Sequence, residues 1–358
     1  MPDNKIKTVD KLIKKFSDFI DYSHMVIPFK SKGIILNYHR VDDITPDPWA
    51  LAVSPKHFSE QLAFLTNHYV PVHLLDLTHP KRINRLKKPW FVITFDDGYL
   101  DNVHKASPIL KEFGVPATFF LTSSFVGSKK CFWWDELTEM MLNPGPLPHF
   151  GDEMLSWGLT ETDWNAAADF TKEDFKIFGK WNYLSKPPTP RHKLFLKLYD
   201  ILKTQPNEIR KKSLEALSIS PTGKLKQIKK HLPMSINDAK ALSADELFEI
   251  GAHSINHPDF RSLTDEEEKF QLEQSKRDLE ARLGTIIRSF AYPHGSYQPR
   301  SLLAVKRAGF SIGCTIKNEI ISNSVNRYIL PRIPVVNMPG NEFDGFIKKL
   351  ISENKVRR

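Results

Sequence analysis

Along the chain, short apolar runs alternate with segments whose apolar residues recur at helical spacing. Gly33-Ile34-Ile35-Leu36-Asn37-Tyr38-His39 reads as a buried strand, and a helix opens at Ser54-Pro55, where serine caps and proline fills the first turn. Trp90-Phe91-Val92-Ile93-Thr94-Phe95 is a second strand that runs into two aspartates, and a helix from about Asn102 to Phe113 closes at Gly114 ahead of the strand Ala117-Thr118-Phe119-Phe120-Leu121. Between about Gly127 and Ser243 the alternation stops. That stretch holds Phe132-Trp133-Trp134, the turn-rich run Asn143-Pro144-Gly145-Pro146-Leu147-Pro148, the segment Lys186-Pro187-Pro188-Thr189-Pro190 and polar helical stretches around 191–217. It reads as a helical insertion or lid.

Alternation resumes with Glu249-Ile250-Gly251-Ala252-His253, a charged helix from Asp265 to Leu283 stopped by Gly284, and the strand Ser289-Phe290-Ala291-Tyr292. A helix from Pro299 to Ala308 and strands near Ser311 to Ile316 and Tyr328 to Val335 complete the pattern. It predicts an α/β fold with a parallel sheet, open or closed into a barrel, and a helical insertion. The expected organisation is an N-terminal amphipathic helix over 1–30, an α/β domain over 31–340 interrupted at about 128–243, and a C-terminal helix or tail over 341–358. In such folds active groups gather at the carboxyl ends of strands, and His39, Asp96, Asp97, His253 and Tyr292-Pro293-His294 all fall there.

In the N-terminal segment, Ile6, Val9, Leu12, Ile13, Phe16, Phe19 and Ile20 form an apolar stripe, with Lys7, Lys11, Lys14 and Lys15 between them. Packing on the main domain is the ordinary role of such a stripe; peripheral contact with an anionic membrane is the other. The chain lacks a secretory signal pattern and any stretch of about 18 consecutive apolar residues, so the expected location is cytoplasmic, peripheral to the inner membrane if that helix meets lipid.

Composition narrows the field. With 358 residues, 41% hydrophobic and 26% charged, the chain has ample material for a core. A net charge of +9 suits many anionic partners, but zinc-finger spacing, RNP-type aromatic motifs and a long arginine tract are all lacking, and no nucleic-acid partner is expected. Cys131 and Cys314 lie far apart without CxxC spacing, which argues against a disulfide framework and a thiolate zinc cluster. A metal would have to use oxygen and imidazole.

Those donors occur in Thr94-Phe95-Asp96-Asp97-Gly98 and His253-Ser254-Ile255-Asn256-His257. Adjacent aspartates are common in helix-capping turns, and a His-x3-His pair is often two surface histidines. Together, at strand ends, they supply one carboxylate and two imidazoles for a divalent metal with open positions, plus a separate base. Neighbouring residues on a strand point in different directions, so one aspartate can bind while the other approaches from another side.

With Phe290-Ala291-Tyr292-Pro293-His294-Gly295 as a third element, the chain resembles the polysaccharide deacetylase superfamily, the NodB-like fold of carbohydrate esterase family 4, over about 33–127 and 244–336. The resemblance implies a deformed (β/α) barrel of about seven strands over 31–340, broken by the helical insertion at about 128–243. It also implies that Asp97, His253 and His257 hold the metal, Zn2+ being the ion that suits them best, and that Asp96 is the general base. It implies attack on an N-acetyl carbonyl, with the oxyanion met by the backbone N–H at His294 in the motif that includes Tyr292.

Two departures from the common pattern matter. No histidine follows His294, so the late Leu-x-His motif is missing. His39, in Leu36-Asn37-Tyr38-His39-Arg40-Val41, is similar to the histidine that poly-N-acetylglucosamine deacetylases place before the Asp-Asp motif, and an ordinary histidine pKa of about 6.5 suits a general acid. His104 and His294 are the reserves. Many members carry an arginine where this chain has Ala291; Arg332 is expected to replace it beside Asp96, with Arg288 the competitor. Trp133-Trp134-Asp135 is expected to anchor the insertion, an aromatic wall for a sugar being the alternative.

The expected protein is a hydrolase of carbon–nitrogen bonds, a metal-dependent N-deacetylase whose partner is an N-acetylated carbohydrate or glycolipid, an N-acetylhexosamine in a glycan or lipid-linked saccharide of surface polysaccharide biosynthesis. Two rivals stand beside it: another amide hydrolase on the same scaffold, and a degenerate carbohydrate-binding protein.

Overall fold

The computed structural model describes residues 25–218 and 231–356. The N-terminal amphipathic pattern from Ile6 to Ile20 lies outside the described residues. Apolar and β-branched residues concentrate in seven short strands: β1 (Gly33–Tyr38), β2 (Trp90–Phe95), β3 (Ala117–Leu121), β4 (Phe248–Ala252), β5 (Ser289–Ala291), β6 (Ile312–Cys314) and β7 (Ile333–Pro334). Their order is β6-β5-β4-β3-β2-β1-β7, and every neighbouring pair is parallel. The last strand therefore returns beside the first.

That return closes the ring. On one side Val335 N–H donates to Asn37 O (3.0 Å), and on the other Thr315 N–H donates to Leu330 O and Lys317 N–H to Arg332 O (both 2.9 Å). One segment thus satisfies both edges that an open sheet would expose. The strands at the closure are two or three residues long, which makes the barrel deformed, as expected from the sequence.

Strand periodicity divides the core. Ile34, Leu36 and Tyr38 join Phe58, Leu62 and Leu65 of the helix Pro55–His68 in the layer between strands and helices. Ile35, Val92, Phe120, Ala291, Cys314 and Leu330 belong to the cluster inside the barrel. With both faces covered, the strands read as nearly continuous apolar runs. Helix ends follow local chemistry: Thr264 and Glu267 form a capping box at the start of Asp265–Leu283, and Gly284 ends that helix in a left-handed conformation. The C-terminal helix Gly340–Val356 lays Phe343 against Phe64, ring centroids 5.8 Å apart. No helix among the described residues is long and apolar enough to cross a membrane.

The chain divides into two units, the barrel unit and a second one made of residues 43–52 and 128–233. The interruption ends sooner than the sequence pattern suggests, because the helix Ile236–Ser243 belongs to the barrel unit, and the short loop 43–52 joins the second. Within the second unit Trp133 and Trp134 are buried, Trp134 stacked on Phe132 at 4.7 Å and Trp133 on Tyr199 at 5.0 Å. Their role is packing.

Candidate metal centre and active site

The turn after β2 sends two adjacent carboxylates to different partners. Asp96 continues the ladder, its N–H donating to Tyr38 O (3.0 Å), and Gly98 N–H then closes back on Asp96 O (2.9 Å). Between them Asp97 takes φ +72°, in the left-handed region, followed by Gly98 at +84°. A non-glycine residue pays about 1–2 kcal/mol for such a backbone, a cost that clusters where function needs a particular side-chain direction. A Cβ on Gly98 would stand 2.7 Å from Leu121 Cδ2. Gly98→Ala is therefore expected to lower the unfolding free energy by about 1–3 kcal/mol, read from urea melts; an unchanged midpoint would contradict this close approach.

His253 stands at the end of β4. Its Nδ1 lies 2.8 Å from Ala291 O, which makes that nitrogen the donor and leaves the Nε2 lone pair for a metal. Burial holds its pKa below the usual histidine value against the pull of Asp96, so the neutral, ligating form prevails. Ser254 and His257 both have positive φ, and Ser254 Oγ accepts the His257 N–H at 3.0 Å, folding the second histidine back toward the first.

Asp97 Oδ1 is 3.6 Å from His253 Nε2 and 3.5 Å from His257 Nε2, and the three residues' donor atoms all lie within 4.8 Å of one another. Ligands about 2.1 Å from a tetrahedral ion sit about 3.4 Å apart. The buried cluster therefore fits a small divalent cation, with positions left for water or substrate.

Asp96 faces the other way, into a buried fork. Arg332 Nη1 and Nη2 reach its two carboxylate oxygens at 2.6 and 2.7 Å. Arg332 is 0% exposed and Asp96 1%. The guanidinium also donates from Nε to Thr315 O (3.1 Å) and from Nη1 to Thr94 Oγ1 (3.2 Å), and it lies 5.3 Å from the Phe120 ring centre. Burial alone would raise the Asp96 pKa; the Arg332 charge, then those of His253 and His39, and the paired hydrogen bonds overcome it and bring it down to about 2. Arg332 thus supplies from beside β7 the charge that Ala291 cannot. Arg288, the competitor, is exposed at the opposite, amino-terminal end of β5.

His39 follows β1 and is half-buried, near enough for Asp96, Arg332 and His253 to act on its charge. Burial, aided by Arg332 and His253 and opposed by Asp96, pulls its pKa down to about 4. The ordinary histidine pKa expected from sequence is therefore corrected: His39 is neutral at pH 7 before substrate arrives. Of the reserves, His104 is exposed on a π-helical turn, Asn102–Ala106, whereas His294, with φ +57°, sets its ring 4.5 Å from that of His257.

Tyr292 needs a correction too. Its N–H is spent on Cys314 O (2.9 Å), and its ring is fully buried against Phe290 and Phe260, 5.2 and 5.8 Å away. Neither its amide nor its phenol faces a substrate, because Ala291 takes the inward position of β5.

Sequence reasoning overlooked Arg40, Asp101 and Asn102, which are buried beside His39. Opposite charges next to the two motif segments were their only signal.

The sequence model described as "Polysaccharide deacetylase" matches residues 84–145 and 225–313, the segments that carry Asp96, Asp97, His253, His257 and His294. The poly-β-1,6-N-acetyl-D-glucosamine N-deacetylase of Escherichia coli K12 is 22% identical over 317 residues, covering 87% of this chain and 38% of that protein. The chain thus spans well under half the length of that relative. A polysaccharide deacetylase from Bacillus cereus superposes with a TM-score of 0.53 at 16% identity, over 88% of this chain and 69% of its own. IcaB from Ammonifex degensii gives 0.52 at 19%, over 90% and 98%. These likenesses show the fold. The barrel, the order of its motifs and the matched segments agree in one likeness: this chain is similar to the polysaccharide deacetylase family.

Proposed function

We propose that the chain is a metal-dependent N-deacetylase acting on an N-acetylhexosamine in a glycan or lipid-linked saccharide of surface polysaccharide assembly. The observation that carries this reading is the buried Asp97, His253, His257 cluster with a separate, ionised Asp96 beside it at one end of the barrel. A divalent cation on the three ligands, zinc suiting them best, would polarise the acetyl carbonyl and ease deprotonation of the attacking water.

The chain's own groups supply the rest. Asp96, oriented and kept ionised by Arg332, accepts a proton as the water oxygen bonds to the acetyl carbon. The carbonyl electron pair moves onto oxygen, where the His294 N–H donates to it. When the C–N bond breaks the amine nitrogen needs a proton: His39 takes one from solvent as the intermediate forms and delivers it, and Asp96 afterwards returns the water's proton to solvent, so both groups regain their resting forms. A low resting pKa fits a group that gains its proton only once negative charge has built up beside it. The products are acetate and the free amine.

Acetate release from a panel of N-acetylated glycans, with and without chelator, tests the reading. Metal-dependent release from amino-sugar substrates is expected. Binding without release would leave a carbohydrate-binding protein, and cleavage of small amides alone would leave a different amidase.

A further inference from the structure

We infer that Asp101 and Asn102 are positioning residues that lock the proposed acid His39 to the loop bearing Asp96 and Asp97, an inference that rests on the deacetylase reading. Asp101 Oδ2 accepts from Arg40 Nε at 2.9 Å and Nη2 at 2.8 Å, and its Oδ1 accepts the Val41 N–H at 3.0 Å. Asn102 Nδ2 donates to His39 O at 2.8 Å and lies 3.3 Å from Asp101 Oδ1. Three consecutive residues, His39 to Val41, are thus gripped by two consecutive residues that follow the Asp-Asp turn. The Arg40 guanidinium also lies over the Tyr99 ring, 4.2 Å from its centre.

The fold explains why the two loops meet and why the grip exceeds what the fold needs. β1 and β2 pair over six positions, from Gly33 with Trp90 to Tyr38 with Phe95, so register is settled before His39 is reached. Beyond that ladder a fully buried amide holds the His39 carbonyl, and a buried ion pair and its carboxylate hold the two residues that follow it. Such a pair contributes little net stability compared with apolar packing, whereas it does specify geometry. Asn102 also opens the π-helical turn, a local widening that recurs at functional sites. A proton donor must lie within about 3 Å of its acceptor, and an error of about 1 Å can cost about a hundredfold in rate.

The test uses the leaving group. An amide nitrogen must be protonated to depart, whereas an aryloxide departs without help. Asn102→Ala and the isosteric Asp101→Asn are expected to lower kcat on an N-acetylated amino sugar by about 10- to 100-fold with little change in KM, and to leave aryl acetate hydrolysis within about twofold. His39→Ala should show the same split, while Asp96→Asn should lose both activities. On the amide alone, a double-mutant cycle reads the same point: Asn102→Ala added to His39→Ala should cost little more, since both act through one group. Equal loss on both substrates, full additivity in the cycle, or no loss on the amide would each overturn the assignment. Wild-type protein that releases no acetate from any N-acetyl sugar would instead overturn the deacetylase reading, and the inference with it.

Discussion

Replacing Arg332 with alanine is expected to lower the unfolding free energy by about 3–5 kcal/mol, because it strands a buried carboxylate, and to reduce acetate release by about a thousandfold. Asp96 is 1% exposed, so bulk solvent does little to stabilise its charge, and both its oxygens are engaged by the fork at 2.6 and 2.7 Å. Without the guanidinium, burial would favour the protonated acid, and a protonated Asp96 can neither orient nor deprotonate a water. Arg332→Lys should recover part of the stability and little of the activity, since one ammonium cannot satisfy two oxygens and the Thr315 carbonyl together. The double variant Asp96→Leu with Arg332→Met separates the two effects: it removes both charges, so stability should return toward wild type while activity stays absent. Urea unfolding and acetate assays read the series. An Arg332→Ala protein as stable and active as wild type would sink the argument.

Asp97→Ala and His253→Ala are each expected to weaken divalent-metal binding by at least about 100-fold and to take acetate release to background. One missing ligand leaves two donors, too few to hold the ion against water, and the His253 variant also removes the bond that Ala291 O accepts. Asp96→Asn should bind metal nearly as well as wild type, since Asp96 points to Arg332 and not to the histidine pair. Metal titration by calorimetry checks the contrast. Equal metal affinity in the Asp97→Ala and wild-type proteins would remove Asp97 from the ligand set.

The two adjacent aspartates show how far sequence reading reaches. That they should diverge follows from strand geometry, yet the means is a left-handed residue at Asp97, which a bare Asp-Asp-Gly run does not announce. Tyr292 shows the reverse: a motif position invited a substrate role, but the parity of β5 turns Ala291 inward and the tyrosine ring into the core. The end of the insertion was misread because Ile236–Ser243 is an ordinary amphipathic helix, and only its packing against β4 assigns it to the barrel unit.

By itself the sequence determined the alternation of buried strands and helices, the parallel sheet, the strand ends where His39, Asp96, Asp97 and His253 stand, and the His-x3-His spacing that adds His257, since all of these follow from local periodicity and short spacing. Tertiary structure alone decided that Arg332, and not Arg288, meets Asp96, that burial keeps His39 neutral, and that Asn102 holds the His39 carbonyl while Asp101 holds Arg40 and the Val41 N–H. The reason is physical: pairing across 236 positions and the loss of solvent around a charge depend on how the barrel closes, and no local pattern records that.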